Sequence, residues 1–162
     1  MSYREKIMLT IELLNKKSSN TQKTIQAVAD IEAIIQPQDA WGYQTIIELL
    51  EQDSIELLVA YQSDKVVGYC LYQVVFEQAE ILRIGTHPKH QRQGIASHLF
   101  IELNKELQDN KVESLLLEVR ADNAPAIALY ECQGFSVIHR RSGYYSQPNQ
   151  PAIDALIMQL EL

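Results

Sequence analysis

The sequence has little cysteine, no excess of basic residues and no long apolar run. Its 2 cysteines, Cys70 and Cys132, are too few for a disulfide framework, so we expect small buried thiols in a reducing compartment. The formal charge of −7, from 14 basic and 21 acidic residues, argues against a general nucleic-acid-binding protein, which needs a basic face. No segment resembles a signal peptide or approaches a membrane span, so we expect a cytoplasmic protein without a membrane partner.

Motifs for several common sites are missing as well. There is no G-x-G-x-x-G dinucleotide fingerprint and no phosphate loop ending in G-K-[ST]. No carboxylate or cysteine completes a metal-ligand set with any of the 4 histidines, so we expect no metal. These histidines are His87, His90, His98 and His139. No histidine lies in a recognisable partner motif for Cys132, which argues against a cysteine nucleophile.

The composition is that of an ordinary globular domain. The 162 residues are 46% hydrophobic and 22% charged, and a chain of this length can bury a core without disulfides. Repeats, low-complexity tracts and linkers are not apparent. We therefore expect a single domain over residues 1–162.

Hydrophobic periodicity predicts the element order β α α β β β α β α β β. The first strand is expected to include Ile7 and to end near Leu13, and Thr21 or Ser19 is the expected cap of the first helix. The following elements are predicted at residues 21–35, 41–51, 55–61, 66–75, 77–86, 95–110, 114–120, 124–132, 135–141 and 154–162. The strand at 114–120 is almost entirely apolar and follows a helix, which indicates a central, parallel position. The predicted fold class is therefore α/β with a mixed sheet.

The turn at residues 91–96, Q-R-Q-G-I-A, comes between a strand and a helix. Gly94 and Ala96 carry little or no side chain, so a ligand can approach the backbone where the helix begins. The first N–H groups of a helix have no intrahelical acceptor, and the helix dipole adds positive potential there. We expect a cradle for a pyrophosphate, with Arg92 adding a charge-assisted contact. The alternative is an ordinary strand–turn–helix junction.

Two further residues are candidates for acid–base chemistry. Strand alternation places Glu118 on one face with Leu116 and Arg120, so an apolar side chain is its expected near neighbour. A half-buried carboxylate can act as a base near neutral pH. Tyr130 lies on the short helix that Asn123 or Asp122 is expected to cap, and a phenol, with a pKa of about 10, can donate a proton to a leaving group. The alternatives are a salt-bridged carboxylate and a core aromatic.

Two motifs carry a resemblance to a known family. Q-x-x-G-x-A, here Gln91, Gly94 and Ala96, resembles the acetyl-CoA motif of the GNAT acetyltransferases. N-x-x-A-x-x-L-Y-x-x-x-G-F resembles their second signature and is formed by Asn123, Ala126, Leu129, Tyr130, Gly134 and Phe135. The resemblance implies the GNAT fold, a mixed central sheet flanked by helices whose central strands, residues 82–86 and 115–119, diverge. It also implies acetyl-CoA as co-substrate.

Within that family, the chain resembles the bacterial ribosomal-protein-alanine N-acetyltransferases, the RimI type. The resemblance implies acetylation of the N-terminal alanine of a small-subunit ribosomal protein, number eighteen of that subunit, with Glu118 as proton acceptor and Tyr130 as proton donor. The implied acetyl-CoA contacts are Ile84, Gly85, Thr86, Arg92, Gln93, Gly94, Ile95, Ala96, Ser97 and Asn123. Trp41, Tyr144 and Tyr145 are the expected acceptor-binding residues. The chain departs from the pattern where an adjacent Pro-Trp becomes Pro37 and a separate Trp41.

Two other functions remain open from the sequence. A GNAT enzyme that acts on a protein lysine or a small amine would share both motifs and differ in the acceptor groove. A non-catalytic acetyl-CoA-binding module would share the cradle, but the presence of both Glu118 and Tyr130 argues against it.

Overall fold

The computed structural model describes residues 8–162, so Ile7 of the predicted first strand lies outside the described residues. The observed order of helices and strands matches the predicted one. The elements are β1 (Leu9–Leu13), α1 (Thr21–Ile35), α2 (Tyr43–Leu50), β2 (Ile55–Gln62), β3 (Lys65–Val75), β4 (Gln78–Thr86), α3 (Ile95–Asp109), β5 (Ser114–Arg120), α4 (Ala124–Cys132), β6 (Ser136–Tyr145) and β7 (Ile153–Glu161). A short 3₁₀ turn, Pro88–His90, which the periodicity did not predict, precedes α3.

The strands form one mixed sheet in the order β1-β2-β3-β4-β5-β7-β6. β1 pairs antiparallel with β2, β4 pairs parallel with β5, and β7 pairs antiparallel with both β5 and β6. The parallel ladder runs from Gln78–Ser114 to Glu80–Leu116, whereas β4 continues to Thr86 and β5 continues to Arg120. The parallel pairing therefore ends before either strand does, as a divergence of the two strands requires.

The chain divides into two compact units. The first comprises the described residues up to Tyr72 together with Arg83–Leu103, and the second comprises Gln73–Leu82 and Asn104–Leu162. β3, β4 and α3 each contribute to both units.

The core of the first unit follows from simple periodicities. α1 buries Ile25, Val28 and Ile31, which recur at the spacing of one helical face. β2 buries the run from Leu57 to Ala60, as expected for a strand covered on both faces. The predicted apolar face of α3 is fully buried, with Ile95, Leu99, Phe100 and Leu103 in this unit and Leu107 in the second unit.

In the second unit, β5 buries every other side chain. Leu115, Leu117 and Val119 are buried, whereas Glu118 and Arg120 are half-buried. β6 is the outermost strand of the sheet and is exposed over almost its whole length.

Several local predictions are wrong. Asn20 precedes α1 without a side-chain capping bond, and Thr21 is already helical, its hydroxyl donating to the Asn15 backbone oxygen at 2.7 Å. Asn110, a residue type that often adopts positive φ at the end of a helix, does not do so after α3, where the positive φ falls at Lys111 (61°). Cys132 is exposed, because α4 buries none of its residues completely, whereas Cys70 is buried as expected and burial raises the pKa of its thiol. Over residues 8–162, none of the helices combines the length and apolar character that crossing a membrane would require.

Candidate active site

The predicted cradle is a tight turn whose backbone geometry explains its glycine. After β4 ends at Thr86, the chain adopts positive φ at Arg92 (63°) and again at Gly94 (77°), and α3 begins at Ile95. A side chain at Gly94 would be strained at this φ, so the position favours glycine. Arg92, Gln93 and Gly94 are all exposed, which leaves the backbone of the turn open to a ligand.

The start of α3 presents backbone donors at the same turn. The N–H of His98 is bonded to the Gly94 oxygen at 3.0 Å, and the Nδ1 of His98 lies 2.7 Å from the same oxygen. The amides of Ile95 and Ala96 come before this bond and have no acceptor inside the helix. Together with the dipole of a 15-residue helix, they provide the positive potential that a pyrophosphate needs.

Gly85, at the end of β4, is required by packing. A Cβ built on Gly85 would lie 2.6 Å from the hydroxyl of Tyr69 and would also clash with the end of the Ile35 side chain. Gly85 is therefore packed against Tyr69 and Ile35, which restricts the backbone of the segment expected to contact acetyl-CoA.

Glu118 has polar neighbours that β5 itself does not supply. Its Oε1 accepts a hydrogen bond from the Tyr145 hydroxyl at 2.9 Å, and its Oε2 lies 3.8 Å from Nη1 of Arg141. The side chain is 26% exposed. The expectation that only Leu116 would lie beside this carboxylate is wrong, because both polar groups come from β6.

Tyr145 is well suited to remain a hydrogen-bond donor. Burial, reinforced by the hydrogen bond to Glu118, raises the pKa of Tyr145 to about 12. The Arg120 guanidinium lies 5.3 Å from the centre of the Tyr145 ring and opposes this shift. Tyr144 packs against Tyr145 edge to face with ring centres 5.2 Å apart, and its side chain is 52% exposed.

Asp154 fixes the bend in β6 that brings Tyr145 into place, a role that sequence reasoning missed. Its Oδ1 accepts from the N–H of Gly143 at 2.8 Å, and its Oδ2 accepts from Nη1 of Arg140 at 2.6 Å. These two bonds hold the pKa of Asp154 below its usual range. The pairing of β6 with β7 shifts register between Arg141 and Tyr145, and Gly143 has φ of 62°. The signal in the sequence is the single glycine inside an otherwise strand-like run.

α4 carries the second pair of predicted site residues. Asn123 caps this helix, as one of the two expected alternatives, and its side-chain oxygen accepts from the N–H of Ala126 at 3.3 Å. Asp122 instead forms two bonds to the Arg120 guanidinium, both at 3.0 Å. Tyr130 is half-buried, its ring centre lies 6.0 Å from that of Phe135, and its backbone oxygen accepts from the Phe135 N–H at 3.0 Å.

The predicted site residues are distributed over both units. Trp41, Ile84, Gly85, Thr86, Arg92, Gln93, Gly94, Ile95, Ala96 and Ser97 belong to the first unit, and Glu118, Asn123, Tyr130, Tyr144 and Tyr145 belong to the second. Within the second unit, the structure joins Glu118 to Tyr145 and Tyr145 to Tyr144.

The histidines form no metal-ligand group with their neighbours. Throughout the described part of the chain, no cluster of three or more His, Cys, Asp or Glu side chains is placed to hold a metal ion. The rings of His87 and His90 meet edge to face, 5.7 Å apart. Desolvation and the nearby His90, Lys65 and Lys89 side chains lower the pKa of His87.

Comparison with known proteins agrees with this architecture. The model of the GNAT acetyltransferase family matches residues 25–135. The chain is 41% identical over 101 residues to the [ribosomal protein bS18]-alanine N-acetyltransferase of Escherichia coli K12, a match that covers 62% of this chain and 68% of that protein.

Solved structures show the same fold. The crystal structure of the ribosomal-protein-S18-alanine N-acetyltransferase from Escherichia coli is similar, with a TM-score of 0.80, 30% identity and coverage of 95% of this chain and 94% of that chain. A GNAT family acetyltransferase from Elizabethkingia anophelis with acetyl-CoA bound has a TM-score of 0.73 at 19% identity, with 95% and 98% of the two chains covered. The resemblance and the fold predicted from the two motifs are confirmed: the chain belongs to the GNAT family of acetyltransferases and is an acyltransferase.

Proposed function

We propose that this enzyme transfers the acetyl group of acetyl-CoA to the N-terminal alanine α-amine of ribosomal protein bS18. The observation that carries the proposal is the 41% identity to an Escherichia coli enzyme that is named for this reaction. We treat residues 1–162 as one catalytic domain that works in the cytoplasm, where its ribosomal acceptor is made, with neither nucleic acid nor membrane as partner.

Acetyl-CoA is bound, in this proposal, through the backbone of the first unit. The N–H groups of residues 92–97 hold the pyrophosphate at the start of α3, where the helix dipole favours negative charge. Positive φ at Gly94 is consistent with a turn whose amides face a ligand. Ile84, Gly85, Thr86 and Asn123 provide further contacts to acetyl-CoA.

Glu118 acts as the general base in this proposal. A peptide α-amine is largely protonated at neutral pH, because its pKa is about 8, and it must lose a proton before it can attack. Glu118 takes that proton, directly or through water, and the nitrogen then attacks the acetyl carbonyl carbon. Its half-buried side chain and its hydrogen bond from Tyr145 support the assignment, because a base must be held in one orientation.

Tyr130 acts as the general acid. When the carbon–sulfur bond of the thioester breaks, the thiolate takes the phenol proton. The attacking nitrogen still carries one proton more than an amide and gives it to the Tyr130 phenolate, so the products are an acetylated amine and free CoA. Its half-buried position on α4, against Phe135, is compatible with a site from which water is largely excluded. Trp41, Tyr144 and Tyr145 contact the acceptor peptide in this proposal.

One experiment tests the proposed reaction. CoA thiol release is measured with short peptides that differ only at residue one, beside a peptide whose sole amine is a lysine and beside a polyamine. We expect the alanine-first peptide to react fastest. Reaction with the lysine peptide or the polyamine alone would contradict the proposal and favour the second candidate.

The second candidate is a GNAT enzyme that acetylates a protein lysine or a small amine, and one feature of the sequence favours it. Gln38, Asp39 and Ala40 separate Pro37 from Trp41. A different connection between α1 and α2 implies a different acceptor groove. Mass spectrometry of a peptide carrying both an α-amine and a lysine distinguishes the two candidates by the position of the acetyl group.

A further inference from the structure

The side chain of Arg83 attaches the connection between α1 and α2, residues 36–42, to β4. Its Nη1 donates to Oε1 of Gln36 at 2.5 Å, and its Nη2 donates to the backbone oxygen of Asp39 at 3.0 Å and to the Asp39 carboxylate at 2.9 Å. The guanidinium carbon also lies 4.3 Å from the centre of the Trp41 ring. Because the Arg83 side chain is only 12% exposed, its contacts with Gln36 and with the Trp41 ring are weakly screened by water, whereas the Asp39 carboxylate is 79% exposed.

Glu32, on α1, holds the same connection from the interior. Its carboxylate is 1% exposed, and its Oε2 accepts from the backbone N–H of Trp41 at 3.1 Å. Its Oε1 accepts from the Tyr69 hydroxyl at 2.5 Å, and Nε of Arg83 lies 3.9 Å from its Oε2. Burial raises the pKa of Tyr69, and the bond to Glu32 adds to the shift, so this hydroxyl remains a donor. Glu32 thus fixes the backbone of Trp41, while Arg83 fixes its ring.

The same network reaches the segment proposed to contact acetyl-CoA. The Tyr69 hydroxyl lies against Gly85 so closely that an added Cβ would be 2.6 Å away. Trp41, Tyr69, Glu32 and Arg83 line one small hollow whose other walls are apolar. The buried carboxylate of Glu32 therefore connects Trp41, through the Tyr69 hydroxyl, to β4 at Gly85.

We propose that Arg83 and Glu32 are positioning residues that hold Trp41 as one wall of the acceptor site and thereby set acceptor selectivity. The inference rests on the proposed function, because contact between Trp41 and the acceptor is part of that function. We call the contacts of Arg83 and Glu32 with Trp41 the clamp, and the sequence indicates why it is needed. Three residues separate Pro37 from Trp41, whereas the two are adjacent in the family pattern, so this connection is longer. Ordering a longer connection costs conformational entropy, and the bonds of Arg83 and Glu32 offset that cost.

Trp41 is the only tryptophan of the chain, so its fluorescence reports on the clamp without any turnover. The probe is acrylamide quenching of the wild-type protein, Arg83→Gln, Arg83→Lys and Glu32→Gln. We expect quenching to increase about twofold in Arg83→Gln, because the ring loses its covering guanidinium. Lysine keeps the charge of arginine but not its planar guanidinium, so we expect the quenching of Arg83→Lys to lie between that of wild type and that of Arg83→Gln. Lys23→Gln, an exposed α1 variant with the same change of charge, serves as the control and keeps wild-type quenching.

Kinetics then separate positioning from general damage. In Arg83→Gln, we expect the KM of the acceptor peptide to rise about tenfold to a hundredfold, because the Trp41 ring is no longer held in position to contact the peptide. The kcat at saturating peptide and the Kd of acetyl-CoA stay within about twofold of wild type. Glu32→Gln keeps one acceptor oxygen for the Trp41 N–H and shows a smaller rise in KM. Circular dichroism verifies that each variant is folded.

Two results would overturn the inference. One is an unchanged acceptor KM in folded Arg83→Gln, whether or not quenching changes. The other is an equal loss of acetyl-CoA affinity and acceptor affinity, which would indicate a merely structural role. If the wild-type enzyme accepts only a lysine peptide or a polyamine, the proposed function fails, and the KM of that acceptor is measured in the same variants. The failure of the clamp and the failure of the proposed function are therefore distinguishable.

Discussion

The hydroxyl of Tyr145 donates to the carboxylate of Glu118 across 2.9 Å, although the two residues lie on strands that are not neighbours in the sheet. β7 runs between them, so the tyrosine side chain extends over an intervening strand to reach the carboxylate. A hydrogen bond to one oxygen and the Arg141 guanidinium near the other restrict the rotation of Glu118. The candidate base is thereby held in one orientation before any substrate arrives.

The first prediction concerns the proposed acid. Tyr130→Phe removes one oxygen and little volume, so acetyl-CoA should still bind. Turnover should fall about 10²–10⁴-fold, the usual contribution of a positioned acid. Steady-state thiol release and calorimetric titration with acetyl-CoA measure the two effects. Turnover near the wild-type value would mean that Tyr130 is only a packing aromatic beside Phe135.

The second prediction concerns the proposed base. Glu118→Gln should lower turnover, and the deficit should shrink as pH rises, because a larger fraction of the acceptor amine is then already neutral. Tyr130→Phe is the matched control, since its leaving sulfur still needs a proton at every pH. The check is a pair of pH–rate profiles measured beside circular dichroism. A deficit of the same size at all pH values in Glu118→Gln would exclude Glu118 as the base.

The third prediction concerns the cradle. Gly94→Val should weaken acetyl-CoA binding far more than Gln93→Ala, because valine is strained at φ of 77° and adds bulk where the backbone meets the ligand. Gln93 is exposed, and its side-chain oxygen accepts a hydrogen bond from Nε2 of Gln62 at 3.1 Å. Its truncation therefore leaves the backbone of the turn unchanged. Calorimetry with acetyl-CoA on folded protein measures both affinities. Equal losses in the two variants would count against a backbone cradle.

The fourth prediction concerns stability at alkaline pH. The folded state raises the pKa of Tyr145 to about 12, whereas an unfolded tyrosine titrates at about 10. Between these values the folded protein binds more protons, so the contribution of Tyr145 to stability is complete below pH 10 and is lost as pH rises towards 12.

Tyr145→Phe tests this directly. Urea unfolding between about pH 9 and 12 should show a shallower decline in the variant than in wild type. Tyr144→Phe removes the hydroxyl of the more exposed neighbour and should follow the wild-type curve. Identical slopes for wild type and Tyr145→Phe would show that neither burial nor the bond to Glu118 favours the protonated phenol in the folded state.

Local patterns in the sequence predicted most of the fold and part of the site. Alternation placed Leu115 and Leu117 inwards and Glu118 at the half-buried face, and helix-start chemistry identified Asn123 as a cap. Gly94 was identifiable because only a residue without a side chain suits that turn. These features depend on residues that are close in sequence.

The missed features depend on side chains that meet over long sequence separations. The bond between Tyr145 and Glu118 depends on the register shift in β6, which no period within either strand encodes. The stacking of Arg83 on Trp41 joins residues 42 positions apart, and arginine in a strand is ordinarily a solvated surface residue. Pairwise contacts of this kind follow from the packing of whole elements.

The irregular course of β6 also affects how copies of the protein meet one another. A straight strand at the rim of a sheet is a template on which a second chain can add, and this is a common route to aggregation. β6 shifts register twice against β7, and it carries Arg140 and Arg141 between the two shifts. A bent and charged rim of this kind resists pairing with another strand. The distortion that brings Tyr145 to Glu118 therefore also protects the sheet against self-association, and a mutation that straightened β6 would impair both.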